Sequence, residues 1–338
     1  MQSRRHDDDP RDTTSTSPPE MHRIRIHTGN VDPILIFDGG QHTTPPRPVD
    51  VEALLPGIER YRAEAVRLHP RTGSRSPGER ESSVGGPLLW PAAEPWPQCD
   101  DLHPHTRFKP SHDGQLPMVP VVQLFAVDVP ELPFPPGTDV LQVVWCPFDH
   151  DDGYVPRPEI YWRCAADIGE VLATPPTPTS ARDEYIPSPC TIDPERIVEY
   201  PNWDLPDDAF EGQDEVLDDV ELATGWIYWS HLSVAPGIKV GGYPGWTQDP
   251  NWPLCPGCRQ QMDHLLTVKS AEFDGESWRT WLPEQDAPTT GNVLDLPYET
   301  RTKIQRAHGL MLGDMGGIYL FICPRCPETP FAYRSDCS

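Results

Sequence analysis

The stretch GGYPGWTQDPNWPLCPGC, residues 241–258, decides how the rest of the chain is read. It ends in Cys255-Pro-Gly-Cys258, and a matching pair, Cys323-Pro-Arg-Cys326, stands near the C-terminus. Two thiolates two residues apart can hold two corners of a tetrahedral zinc ion, and a second such pair supplies the other two. Gly257 lets the first turn tighten so that its amides can face the ligand sulfurs. Cys323 closes the apolar run GIYLFI, residues 317–322, which reads as a buried strand carrying its pair to the site. The gap between the pairs is far longer than in a zinc ribbon, so the metal would clip together two distant parts of one domain. A disulfide or a redox-active dithiol are the rival readings. Two matched pairs in a chain without secretory features favour structural zinc.

The same stretch has an echo upstream. GGPLLWPAAEPWPQC, residues 85–99, repeats its spacing, GG-x3-W-x5-W-P-x-C. Each copy then carries an apolar strand candidate, Val121–Phe125 and Leu265–Val268. Each closes with an apolar strand ending in Cys-Pro, at Cys146-Pro147 and Cys323-Pro324. Agreement of glycines, tryptophans, cysteines and order reads as an internal duplication.

A duplicated chain should keep traces of the first metal site. Cys99 and Cys146 stand where Cys255 and Cys323 stand, but the second cysteines are replaced by Leu102 and Asp149. One residue further on are His103 and His150. Cys99, His103, Cys146 and His150 would make a mixed two-thiolate, two-imidazole set, with Asp149, Asp151 or His105 as substitutes. The alternative is a decayed site of two buried thiols and two surface histidines. Cys164, Cys190 and Cys337 lack paired spacing and read as ordinary thiols.

Bulk composition bounds the fold. The 338 residues suffice for a sizeable core, while 44 prolines and 25 glycines favour short strands and turns over long helices. The expected fold is α+β and β-rich. It has two internally duplicated, mainly antiparallel lobes, one N-terminal helix and a structural zinc site. The expected order is a disordered tail (1–20), N-terminal strands and helix (21–83) and a first, degenerate lobe (84–165). A Pro-rich and acidic linker or insertion (166–225) and a second lobe with the four-cysteine zinc site (226–338) complete it. Strand candidates lie at Met21–His27 and Pro33–Phe37. Pro56-Gly57 interrupts the apolar spacing between Val49 and Leu68, so a short first turn, a break and then a helix from about Ile58 are expected. Residues 191–222 hold twelve Asp or Glu against one Arg and read as a solvated linker, or as a landing strip for a basic ligand.

A net charge of -25 argues against nucleic acid and anionic membranes as main partners. No apolar run approaches the roughly 20 residues of a membrane span. With no signal peptide and cysteines in zinc-type pairs, a reducing cytoplasm is the expected compartment.

Lys239-Val-Gly-Gly-Tyr-Pro-Gly-Trp246, the Cys255/Cys258 pair and Met262–Val268 resemble the bacterial YwqG-like family, whose function is unknown. Gly85–Trp90 and Val121–Leu124 resemble it too. More distantly, the Lys-Val-Gly-Gly start, the Cys-x-x-Cys and the closing Phe-Ile-Cys are similar to the programmed cell death protein two family, dedicated chaperones of a nascent ribosomal protein. The resemblance covers roughly residues 84–338 and implies a duplicated β-rich fold with no catalytic residues to carry over. The acidic insertion and the missing cysteines of the first lobe depart from it.

No P-loop, dinucleotide fingerprint, nucleophile elbow or HExxH motif occurs, so an enzyme is not expected. The expected function is a zinc-binding protein-interaction module, chaperone-like or adaptor, holding a protein partner of basic character. Its contacts would be the Trp-Pro turns (Trp90, Trp96, Trp246, Trp252), unless those tryptophans are core. An immunity protein that neutralises a toxin, or a metal-dependent hydrolase using Asp149 and His150, are the alternatives.

Overall fold

The closing strands of the two repeats alternate strictly, and that alternation builds the molecule. Leu141, Val143 and Trp145 point into one large apolar cluster, and so do Ile318, Leu320 and Ile322. The intervening residues, Val144 with Cys146 and Tyr319, Phe321 with Cys323, join two other clusters on the opposite faces. A two-residue period does this automatically. Every residue of both strands is buried, as expected for strands with apolar neighbours on both sides.

The computed structural model describes residues 41–73, 75–101, 103, 115–150, 155–209, 212–289 and 291–337. Its strands are β1 (Ala63–Arg67), β2 (Ser83–Val84), β3 (Gln98–Cys99), β4 (Leu116–Pro117), β5 (Val119–Phe125), β6 (Val140–Trp145) and β7 (Pro158–Arg163). There follow β8 (Cys190–Thr191), β9 (Glu195–Glu199), β10 (Lys239–Gly241), β11 (Asp263–Lys269), β12 (Gly317–Ile322) and β13 (Phe331–Asp336). All pairings are antiparallel. β3 and β4 pair as a two-stranded ribbon; of the two larger sheets one has the order β7-β6-β5-β2-β8 and the other β13-β12-β11-β10-β1-β9. Their inner faces meet in a single core that draws on both. The β1–β9 ribbon continues through the Arg71↔Thr191 bridge into β8, so it joins the two sheets along one side.

The meanders β2-β5-β6-β7 and β10-β11-β12-β13 pair in the same register. Ser83↔Gln123 corresponds to Lys239↔Thr267, Val122↔Val143 to Leu266↔Leu320, and Trp145↔Pro158 to Ile322↔Phe331. The irregularity also recurs, between Pro120 and Val122 and between His264 and Leu266. Each Gly-Gly turn has left-handed backbone, with φ of 81° at Gly86 and 62° at Gly242. A Cβ on Gly242 would lie 2.0 Å from Glu199 Oε1, so the turn excludes any other residue.

Two expectations are corrected. The short first turn is present as α1 (Val51–Leu54), capped by Asp50, and a break follows it, but the helix expected from about Ile58 is only a 3-10 turn at Ile58–Tyr61, and β1 occupies the rest of its place. Gly57, at φ 103°, ends the helical path, and pairing with β9 and β10 on both sides then claims Ala63–Arg67 for the sheet. Residues 191–222 are not a bare linker. They supply part of β8, all of β9 and most of a longer helix, α2 (Gln213–Thr224), whose Leu217 and Val220 pack with Val51, Leu55 and Ile58. The N-terminal segment is divided between the sheets, with β1 in the sheet of the second meander and β2 in that of the first. The tail and the candidate strands at 21–27 and 33–37 lie outside the described residues.

Candidate metal centres

Each outer face ends in a cluster of four ligand-type side chains. Cys255, Cys258, Cys323 and Cys326 form one, and Cys99, His103, Cys146 and His150 the other; within each, all ligand atoms lie within 4.8 Å of one another. Both sets predicted from the sequence are therefore brought together, and both can hold a metal ion.

The four-cysteine cluster joins two tight turns. In the first, Arg259 N–H donates to Cys255 C=O at 2.9 Å and Cys255 N–H to Gln260 C=O at 2.8 Å. Arg259 takes a left-handed φ of 60° to allow it. Gly257 passes so close that a Cβ would stand 3.3 Å from Cys326 Sγ. Sulfurs of opposite turns are neighbours, Cys255 and Cys326 at 3.7 Å and Cys258 and Cys323 at 3.5 Å. Those separations are far beyond a disulfide bond of about 2.05 Å. They fit a tetrahedral ion bound at about 2.3 Å, which needs about 3.8 Å between sulfurs. None of the nine cysteines is in a disulfide. The Cys258 and Gly257 amides draw the Cys255 thiol down to about 6, and the Gln260 amide lowers Cys258. The bond with Cys255 pushes Cys326 up to about 12. Arg325 rests beside the cluster, bonded to Asp263 at 3.2 Å and to the Gln261 carbonyl.

The mixed cluster lies deeper, with all four side chains buried. Nε2 of His103 is 3.6 Å from Cys99 Sγ and 3.4 Å from Cys146 Sγ, and Nε2 of His150 is 3.7 Å from Cys99 Sγ. A tetrahedral ion with sulfur at about 2.3 Å and nitrogen at about 2.0 Å needs about 3.5 Å between unlike ligands. His103 stacks on Phe148 at 4.7 Å. His150 Nδ1 meets Asp101 Oδ2 at 3.1 Å, which leaves Nε2 to face the sulfurs. Arg157 ties Asp101 at 2.5 Å and points a second nitrogen at Cys99 Sγ, 3.4 Å away. The hydrogen bond with Cys146, followed by those with His150 and His103, holds the Cys99 thiol well below its ordinary range. The same bond and burial push Cys146 up.

Asp101 and Arg157 were not singled out from the sequence. Arg157 stands 56 residues from Asp101, so no local spacing could reveal them. Asp149 does not join the cluster: Arg182 grips both its oxygens, at 2.8 and 2.6 Å, and Tyr185 donates to it at 2.6 Å. His105 and Asp151 lie outside the described residues.

Of the two readings of the tryptophans, the burial fits the core one. Trp90, Trp96 and Trp246 are 1%, 5% and 2% exposed, and Trp252 is half-buried. Trp90 and Trp96 pack over Cys99 and Cys146, Trp246 and Trp252 over Cys255 and Cys323. Their large apolar faces shield the clusters from water, so they are walls of the sites and not a contact surface. Among the described residues no helix is long and apolar enough to cross a membrane. The chain matches no protein-family model, and no curated protein matches it significantly.

Proposed function

We propose that this chain is a cytoplasmic two-zinc scaffold, made by internal duplication, that binds a basic partner protein and catalyses no reaction. The observation that carries it is that both clusters present a full set of four ligands. A tetrahedral ion so held has no open position for water or substrate, which is the mark of a structural site. Zinc is favoured because all donors are sulfur or imidazole nitrogen at tetrahedral separations. Duplication is supported by the identical register of the two meanders, their shared irregularity and the matched clusters at the same strand ends. The hydrolase alternative loses its carboxylate, since Asp149 is committed to Arg182 and Tyr185.

The partner surface is assigned to α2 and the loop before it. Asp207, Asp208, Asp214, Glu215, Asp218, Asp219 and Glu221 are all exposed. Beside them Trp203 is 52% exposed and stacks on Trp229 at 5.3 Å, offering an indole face to a cationic side chain. By analogy with the resembled chaperone family, a nascent basic protein is the client class. Two measurements test the reading. Metal analysis of the purified chain is expected to give two zinc ions per molecule. A pull-down from the native host is expected to yield one basic protein, lost when Asp207, Asp208, Asp214, Glu215, Asp218 and Asp219 are reversed to lysine with zinc content unchanged. A metal-free folded chain, or a partner indifferent to those reversals, would refute it.

A further inference from the structure

The two clusters differ in what an oxidant can reach. In the mixed cluster both sulfurs are buried and the other ligands are imidazoles, which form no disulfide. In the four-cysteine cluster, Cys258 and Cys326 are half-buried on turns whose Pro256, Gly257, Pro324, Arg325 and Pro327 are exposed. Each of these reachable sulfurs has a fully buried sulfur of the opposite turn as neighbour, Cys323 at 3.5 Å and Cys255 at 3.7 Å.

We propose that the four-cysteine centre is a peroxide-responsive switch that exchanges its metal clip for a covalent one, while the mixed centre keeps its metal throughout. The inference rests on the zinc reading above. Cys258 thiolate attacks hydrogen peroxide, forming an S–O bond as the O–O bond breaks and hydroxide leaves. Cys323 thiolate then attacks the Cys258 sulfur, forming the S–S bond as the S–O bond breaks and a second hydroxide leaves. The two sulfurs give up two electrons, peroxide accepts them, and the two hydroxides take two protons from the buffer to become water. A centre stripped of two ligands releases its ion. The cross-pairing makes this a switch and not mere damage. The new bond joins the two turns that the metal joined, 65 residues apart in sequence, so the second meander stays clipped.

The test uses the full-length, zinc-loaded chain. Native mass spectrometry before oxidation reads the zinc content: a value below two overturns the two-zinc reading and this proposal with it, whereas two ions that peroxide leaves in place overturn this proposal alone. With two ions present, stoichiometric hydrogen peroxide is expected to release one zinc per chain. Peptide mapping is expected to show Cys258 linked to Cys323, with Cys99 and Cys146 still reduced. Dithiothreitol with added zinc should restore the second ion. The oxidised chain is expected to melt at a higher temperature than reduced chain stripped by a chelator. Release of neither ion, release of both, or links confined to Cys255–Cys258 and Cys323–Cys326 would overturn the proposal. Because every readout is on the wild-type chain, failure of a cysteine variant to fold does not enter.

Discussion

The two meanders share a backbone plan and diverge in how they fill it. The first closes its cluster with two imidazoles, buries it entirely and fixes it with an Asp101–Arg157 pair. The second closes its cluster with thiols alone and leaves two of them near solvent. The outer faces diverge as well. Where the first meander has Gln142, Arg163 and Phe125, the second has Tyr319, Asp336 and Lys269, with Tyr319 Oη 2.6 Å from both Lys269 Nζ and Asp336 Oδ1. Register and Gly-Gly turn are the same in both, while ligands and packing differ. The difference teaches that one strand ladder can seat either ligand set at its end.

The hardest way to break that comparison is to remove a strand-end thiol from each half. Cys323→Ser and Cys146→Ser are each expected to lose one zinc and to lower stability by roughly several kcal/mol, since the binding energy of a structural zinc is folding energy. Metal content with chemical denaturation reads both. Equal zinc in wild type and Cys146→Ser would mean the mixed cluster holds no metal. The shielding tryptophans come next. Trp90→Ala is expected to cost about 3–5 kcal/mol, and Trp252→Ala less, because Trp252 is only half-buried. A larger loss at Trp252 would put the core of the second half in the wrong place.

Lys269 of the second half, which stands where the first has Phe125, gives that half its own pH dependence. Burial lowers Lys269 from the ordinary lysine range to about 8, with Asp336 opposing. Between pH 8 and about 10 the unfolded chain therefore binds more protons at this site, and its contribution rises with pH by up to about 1.4 kcal/mol per unit. Below pH 8 that contribution is absent. Burial together with Asp336 raises Tyr319, which works the other way above about pH 10, so the difference between wild type and Lys269→Met isolates the lysine. Melting curves at pH 7, 8, 9 and 10 should show a slope that the variant lacks.

Much of this was legible in the chain itself. The cysteine pairs, the repeated Gly-Gly/Trp spacing and the His103 and His150 offsets carried both clusters, because a metal set needs particular atoms at fixed turns. What the sequence hid was non-local. Ala63–Arg67 became strand because β9 and β10 flank it, and nothing within the segment announces those neighbours. The charge of 191–222 masked Leu217 and Val220, two apolar residues three apart, which suffice to seat α2. Asp101 was hidden likewise, and its effect is smaller. Asp101→Ala removes the acceptor that orients His150 and is expected to weaken zinc at the mixed cluster about 10–100-fold, leaving the four-cysteine cluster unaffected. Competition with a coloured chelator would resolve the two sites.

The smallest effect separates a face built for stability from one built for a partner. Along α2, Asp214 faces Asp218 and Glu215 faces Asp219 at i,i+4, and Glu221 sits in the last turn with no basic residue there. Like charges at that spacing, and an acid near the negative end of the helix dipole, each oppose the helix by about 0.2–0.5 kcal/mol. Neutralising Asp218 and Asp219 to asparagine should relieve the repulsion and leave the chain at least as stable, after asparagine's own modest helix penalty. If the acidic face holds a basic partner, the same variant must bind it more weakly, and the deficit must shrink as salt rises. Stability and affinity are then expected to move in opposite directions, which no purely structural role for those carboxylates produces. A variant that binds as tightly as wild type at low salt would show that the repulsion in α2 serves no partner.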